Sequence, residues 1–347
     1  MKGGWPFTAP LSLLYGGVVT LRNLLYDKAI LNSADPEIKV ISVGNITAGG
    51  SGKTPLTIAL AAEIKALKPD LKIAVVSRGY GRSTKGVQVV SNETEVLMDA
   101  TSGGDEPFMI ANALPGFPVV VSEKRINGIR FAREEFGTEL VILDDGFQHR
   151  KVKRDLDIVI LDSSAPSWTW RPLPGGYLRD MPSSLRRAGL IVMTGVVNSE
   201  VKYKLHSWIR KFSDTDILHG GIAPSHLKNI VTGEEKPLTF IKGKKIIASA
   251  AIARPERFFS MLKGVGAELL REHKLRDHAW MTSWQREEMF EKALSSGCEA
   301  VIITGKDAVK WPNSQEFELP VYIFETEWQW WTEEEVLNDT LIGILES

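Results

Sequence analysis

Short apolar runs alternate with amphipathic stretches along most of the chain. Lys39 to Val43 is apolar, and the following segment repeats Leu56, Leu60, Ile64 and Leu67 at helical spacing within Thr54 to Leu67. Further apolar runs occur at Ile73–Val76, Val87–Val90, Pro118–Val121, Leu140–Leu143, Ile158–Leu161 and Leu190–Met193. Helical segments fit between several of them, notably Glu106–Leu114 and Glu123–Phe136. Strands alternating with helices predict an α/β fold: a mostly parallel sheet with helices on both faces. Such sheets bind ligands beyond the carboxyl ends of their strands.

The texture changes from Asp214. Ile217–Ile222 and Pro237–Ile241 look extended, around a polar "VTGEEK" turn. A second alternation begins at Lys244. Strands are expected at Ile246–Ala251, Ala267–Leu270, Ala300–Thr304 and Val321–Phe324, and helices at Pro255–Lys263 and Trp284–Ser296. Three regions follow: an N-terminal helical region over 1–35, a larger domain over 36–240, and a smaller C-terminal α/β domain over 241–347. No internal repeat or low-complexity tract interrupts them.

The N-terminus carries no charge between Lys2 and Arg22. Pro6, Pro10 and the lack of a small-residue cleavage site argue against a secretory signal. A spanning helix needs about 20 apolar residues; Pro10 blocks the early part here and Gly16-Gly17 weaken the middle. A helix over Leu11–Tyr26 is predicted, with Leu11, Leu14, Val18, Leu21 and Leu25 near helical spacing. It either packs on the protein body or lies in a membrane surface, where Trp5 and Phe7 would suit it.

Composition adds boundaries. The chain has 347 residues, 43% of them hydrophobic and 24% charged, which is ordinary for a globular protein of two domains. A formal charge of -1 excludes a global basic field for nucleic acid. Charge is local instead: Arg78, Arg82 and Lys85 cluster, as do His149, Arg150, Lys151, Lys153 and Arg154. One cysteine, Cys298, excludes internal disulfides and a thiolate zinc cluster.

Candidate chemistry gathers at the ends of the expected strands. "VGNITAGGSGKTPL", Val43 to Leu56, follows a strand, precedes a helix and ends in Gly52-Lys53-Thr54. That is the setting in which backbone N–H groups curl round a phosphate, so the larger domain is P-loop NTPase-like. Gly49, Gly50, Ser51 and Gly52 would cradle it, Lys53 would reach the β- and γ-phosphates, and Thr54 would ligate Mg²⁺. The usual loop has glycine five residues before Gly52; here that position is Thr47. "VILDDGFQHR" is an apolar strand ending in Asp144 and Asp145, the pattern whose carboxylates hold Mg²⁺. In "GGDEPFM", Asp105 either caps a helix or accepts a proton from an acceptor hydroxyl. "SRGYGR" is either a solvated basic loop or an anion site. His278 in "LRDHAW" is either structural, beside a helix-capping Asp277, or reaches the cleft between domains.

The motifs "GNITAGGSGKTP", "SRGYGR", "GGDEP", "DDGFQHR", "LPGGYLRD", "RPERFF", "RDHAW" and "TGKDAVK" run from residue 44 to about 310. In this order they resemble the tetraacyldisaccharide 4'-kinases of lipid A biosynthesis, whose loop carries threonine where Thr47 stands. The resemblance implies transfer of the γ-phosphoryl of ATP to the 4'-hydroxyl of a tetraacylated glucosamine disaccharide 1-phosphate. It implies ATP and Mg²⁺, and a peripheral position at the cytoplasmic face of the inner membrane with the N-terminal helix touching lipid. Neither nucleic acid nor a protein partner is called for. It further implies that Asp105 and His278 form a catalytic dyad aided by Lys53. Asn45, Arg78, Tyr80, Arg125, Gln148, His149 and Arg179 fall near the glycolipid. Asp180, where glutamate is common, joins Thr54, Asp144 and Asp145 as a metal candidate. Ala279 separates His278 from Trp280, a departure from the family's usual "DHH" or "DH"-aromatic. The rival reading is a P-loop nucleotide switch or metallochaperone-like NTPase. Guanine recognition wants N-K-x-D, and "TGKD" lacks both the asparagine and the spacing. Metal delivery would want Cys/His clusters, which the sequence lacks.

Overall fold

The computed structural model describes residues 5–49, 52–164, 170–195, 199–252, 254–276, 279–311, 317–332 and 335–346. Gly50, Ser51, Asp277 and His278 lie outside the described residues, as do the side chains of Trp5 and Phe7. The chain forms two compact units, residues 1–221 with 328–347, and residues 222–327. The boundary expected near 240 therefore falls at 221/222. The last twenty residues return to the first unit rather than closing a C-terminal domain. Periodicity could not reveal either point, because both crossings lie inside long strands.

In the first unit α1 (Trp5–Asp27) precedes β1 (Lys39–Asn45), α2 (Lys53–Leu67), β2 (Ile73–Ser77) and β3 (Gln88–Ser91). Then come α3 (Ala100–Gly103), α4 (Asp105–Ala113), β4 (Val119–Val121), α5 (Arg125–Phe136), β5 (Leu140–Asp144) and β6 (Leu156–Asp162). β7 (Leu190–Thr194), α6 (Ser199–Ile209) and the start of β8 (Ile217–Asn229) follow. The sheet order is β8-β7-β6-β1-β5-β2-β4-β3, parallel except for the edge strand β3. β1, β2, β5, β6 and β7 are nearly continuous runs of buried apolar side chains, as expected of strands covered on both faces. Leu56, Leu60 and Ile64 of α2 pack on that sheet with Ile41, Val43 and Ile142.

The second unit carries β8 onward into β9 (Glu235–Pro237), an antiparallel hairpin. Next are β10 (Lys245–Ala250), α7 (Pro255–Gly264), β11 (Glu268–Lys274), α8 (Ser283–Ser295), β12 (Ala300–Thr304), α9 (Gly305–Ala308) and β13 (Val321–Trp330). Its parallel order is β11-β10-β12-β13, over a core of Phe258, Phe259, Leu262, Ile302 and Phe324. β13 leads back to the first unit and α10 (Glu335–Glu346), whose Leu337 and Leu341 join the first unit's core.

The N-terminal helix differs from expectation in where it starts. It begins at Trp5 and contains Pro10, so the proline does not set its start. Pro10 sits in the second turn, where its ring has no N–H to donate along the helix. Of the two placements open for its leucines, the outward one is found. Ser12, Gly16, Val19 and Asn23 are buried, whereas Leu11, Leu13, Leu14, Val18, Leu21 and Leu24 point outward. Gly16 permits the close approach: a Cβ there would lie 3.3 Å from Met181 Sδ. Polar ties hold the inner face. Ser12 Oγ accepts from Gly175 N (2.9 Å), Tyr15 Oη donates to Arg179 O (2.9 Å), and Asn23 Nδ2 donates to Asp180 Oδ1 (2.7 Å). No described helix is long and apolar enough to cross a membrane.

Candidate functional site at the carboxyl edge of the first unit's sheet

Four neighbouring strands bring the chemistry to one edge. β1, β5, β2 and β4 pair in parallel, so their carboxyl ends coincide. Asn45 ends β1, Asp144 ends β5, Ser77 ends β2, and Arg125 opens the helix just after β4.

The two aspartates have opposite surroundings. Asp144 is fully buried and accepts from Thr57 Oγ1 (3.2 Å) and Ser77 Oγ (3.4 Å). Burial, then the negative charges of Glu106 and Asp145, push its carboxyl up to about 7, against the pull of Lys53. Asp145 is half-buried. Burial would raise it too, but Lys53 and Arg179 outweigh that and hold it at about 2. Lys53 Nζ lies 3.7 Å from Asp145 Oδ1. Arg179 grips the same carboxylate with both prongs, Nη2–Oδ1 at 2.7 Å and Nη1–Oδ2 at 3.1 Å. Arg179 also donates to Asn45 Oδ1, and Gln148 Nε2 donates to the Asn45 carbonyl. Adjacent acids driven apart in this way mark a site of proton and charge handling.

The glycine-rich loop joins β1 to α2 at this edge. Gly49 (φ +104°) and Gly52 (φ +90°) adopt left-handed backbone, and α2 starts at Lys53 with its free amides toward the edge. Thr47 needs no such freedom. It forms an antiparallel bridge with Leu178, and Ala48 N donates to Tyr177 O (2.6 Å). The "LPGGYLRD" segment is thus stitched to the loop, and Arg179 N and Asp180 N both reach Ile46 O (2.8 and 3.2 Å).

Basic groups line the other side. Arg125 is buried, its Nη1 donating to Ser122 O (3.0 Å), and burial lowers it to about 10 while Asp144 and Asp145 oppose the fall. His149 is pulled down to about 4, by burial first and then by Arg125, Arg154, Lys151 and Arg78. It is neutral at pH 7 within a cationic surround. Arg78 and Tyr80 are exposed. Arg82, from the same loop, is engaged elsewhere with Glu123 (2.6 Å) and the Gly86 carbonyl (2.6 Å). That loop packs on "GGDEP": a Cβ at Gly104 would lie 3.2 Å from Gly79 Cα. Gly104 caps α4 and Asp105 is its first residue, so the capping role expected of Asp105 belongs to its neighbour.

Asp180 is fully buried, but its oxygens are taken by Asn23 Nδ2, Met181 N (2.9 Å) and Arg187 Nη2 (3.3 Å), with Arg22 at 3.8 Å. These contacts tie Asp180 to α1 and to Arg187. Three residues were missed: Thr57, Ser77 and Glu106. Thr57 stands one helical turn after Lys53 and Ser77 ends a strand, so spacing could have flagged both.

The sequence profile described as "Tetraacyldisaccharide-1-P 4'-kinase" matches residues 5–346. The chain belongs to this family. A tetraacyldisaccharide 4'-kinase of Syntrophus aciditrophicus is 36% identical over 326 residues, covering 91% of this chain and 87% of the relative. One from Chlorobaculum parvum is 40% identical over 272 residues, covering 78% and 74%. The crystal structure of the "apo" form of LpxK from Aquifex aeolicus in complex with ATP is similar at a TM-score of 0.76, with 30% identity and 98% of each chain covered. The chain therefore carries this family's fold over nearly its whole length.

Proposed function

We propose that this protein is an ATP-dependent kinase that transfers the γ-phosphoryl group to the 4'-hydroxyl of a tetraacylated glucosamine disaccharide 1-phosphate. Family membership and the ATP named for the Aquifex aeolicus structure support the reaction. The observation that carries it is the Asp144–Asp145 pair facing Lys53 at the start of α2.

Phosphoryl transfer is mostly positioning and neutralisation of charge. The left-handed glycines and the α2 amides suit the β- and γ-phosphates, toward which Lys53 turns from Asp145. Thr54, Asp144 and Asp145 offer hard oxygen donors, and burial with the charges of Glu106 and Asp145 makes Asp144 resist ionisation. That set fits Mg²⁺, which when bound supplies charge neutralisation at the phosphates. Asp105 takes the proton as the sugar oxygen bonds to phosphorus and ADP leaves. Arg78, Tyr80, Arg125, Gln148 and His149 face the glycolipid. Arg179 and Asn45 act on it through Asp145, whose position they hold. The outward leucines of α1 suit the acyl-chain boundary at the cytoplasmic face of the inner membrane.

Labelled ATP with the lipid disaccharide 1-phosphate, or with buffer alone, tests the reading. Label in the lipid is expected; hydrolysis without transfer overturns it. Asp105→Ala should lower kcat by about 10²–10⁴-fold while ATP binding is kept. Lys53→Ala should lower it further. Full rates in these variants would remove both assignments.

A further inference from the structure

Two histidines meet away from that edge. His206 lies in the last turn of α6 and His219 is the third residue of β8. Their Nε2 atoms are 3.2 Å apart, with ring planes 14° from parallel. Both backbones are pinned. Arg210 N bonds His206 O (2.9 Å), Trp331 N bonds His219 O (2.8 Å), and His219 N bonds Thr332 Oγ1 (3.1 Å). The phosphoryl-transfer mechanism uses neither ring.

We propose that His206 and His219 form a two-imidazole site for a borderline divalent cation such as Zn²⁺ or Ni²⁺. Metal–imidazole bonds of about 2.0–2.1 Å put two nitrogens about 3.3–3.4 Å apart at the tetrahedral angle and about 2.9 Å apart at a right angle. The observed separation lies between these limits. Imidazole suits Zn²⁺, Cu²⁺ and Ni²⁺, whereas Mg²⁺ and Ca²⁺ seek oxygen, so the site is chemically distinct from a kinase's own cation. Ligation needs neutral rings. Burial, then nearby cations, lowers both histidines, His219 to about 4. Without metal the rings share an Nε2–H···Nε2 bond. On binding, the donor ring moves that proton to its own Nδ1, so no proton is released at neutral pH. Lys202 and Arg210 are the charges facing His206, and Lys202 also faces His219; both oppose a cation, leaving the two imidazoles to supply the affinity. Water completes the coordination. A bound ion would tie α6 to β8 and so favour the folded state.

The full chain is titrated with ZnCl₂ or NiCl₂, and with MgCl₂ as control, by calorimetry and by thermal melts. One equivalent of Zn²⁺ or Ni²⁺ is expected to bind and raise Tm, and Mg²⁺ is expected to leave Tm unchanged at this site. His206→Gln and His219→Gln should each weaken binding by about tenfold or more, with kinase turnover kept. The remaining histidines stay in both variants and so cancel. Equal Zn²⁺ binding by wild type and variants, or none by wild type, overturns the proposal. If a variant does not fold, imidazole NMR of the wild type decides. Two ring signals should shift with Zn²⁺, and unchanged signals refute the site.

Discussion

Asp145 has φ +52°, a left-handed conformation that a β-unbranched aspartate adopts at some cost. The Arg179 fork and Lys53 hold it there. A point charge cannot reproduce a fork. Arg179→Lys should therefore lower kcat by about 10–100-fold, equivalent to one charge-assisted hydrogen bond of about 1.5–3 kcal/mol. Steady-state kinetics with melting data would show it; an unchanged kcat would mean that Asp145 needs no clamp. His149 gives a pH signature. Its folded value of about 4 lies below the ordinary 6.5, so the folded state binds fewer protons between them. The stability it adds is complete above pH 6.5 and is lost as pH falls toward 4. Between pH 7 and 4.5, His149→Gln should lose less Tm than wild type, by about 2 °C or more. Parallel curves would exclude His149 as a buried neutral group.

At the scale of elements, the glycine-rich loop works as part of a three-piece clamp. β1 leads into it, the turn after β5 packs beneath it, and "LPGGYLRD" is bridged to its first half. Gly44 is the contact point. A Cβ there would lie 2.5 Å from Phe147 Cβ and 2.8 Å from Phe147 N, the second a backbone atom that cannot readily retreat. Gly44→Ala should destabilise by about 1–3 kcal/mol and lower turnover, because the aspartate turn must shift. Denaturant melts measure the first effect, and a wild-type midpoint would show that the clamp is looser than this. The same packing explains why Thr47 is tolerated. Its backbone is extended, so glycine's freedom has no use there, and the fold answers a question that the loop pattern alone leaves open.

For the whole molecule, the outward face of α1 is the largest consequence. Leu13 is 74% exposed and Leu14 67%, while small and polar side chains face inward. Contiguous exposed apolar surface of this kind marks an interaction site. Leu14→Asp with Val18→Asp should reduce binding to phosphatidylethanolamine/phosphatidylglycerol vesicles by tenfold or more, since each apolar side chain returned to water costs about 1.5–3 kcal/mol. Tm should barely move, because both side chains are mostly exposed. Undiminished flotation with vesicles would remove α1 from the membrane contact.

The strand and helix periods, the glycines before Lys53, and the acids after an apolar strand are local properties. They specified the parallel sheet, its carboxyl edge and the residues gathered there. What local pattern cannot carry is the identity of a distant partner. Asp180 looks like its neighbours in sequence, but Arg22 and Arg187 pair with its charge and Asn23 of α1 bonds it. Helical spacing located the leucines of α1 on a face, while only packing around Gly16 determined that this face points out. The crossings between units lie inside β8 and β13, where burial runs on without a break in composition. Sequence by itself determined the elements and the chemistry at their ends. Tertiary structure decided which charges meet and which surfaces are left bare, because electrostatic and apolar contacts depend on separation in space rather than along the chain.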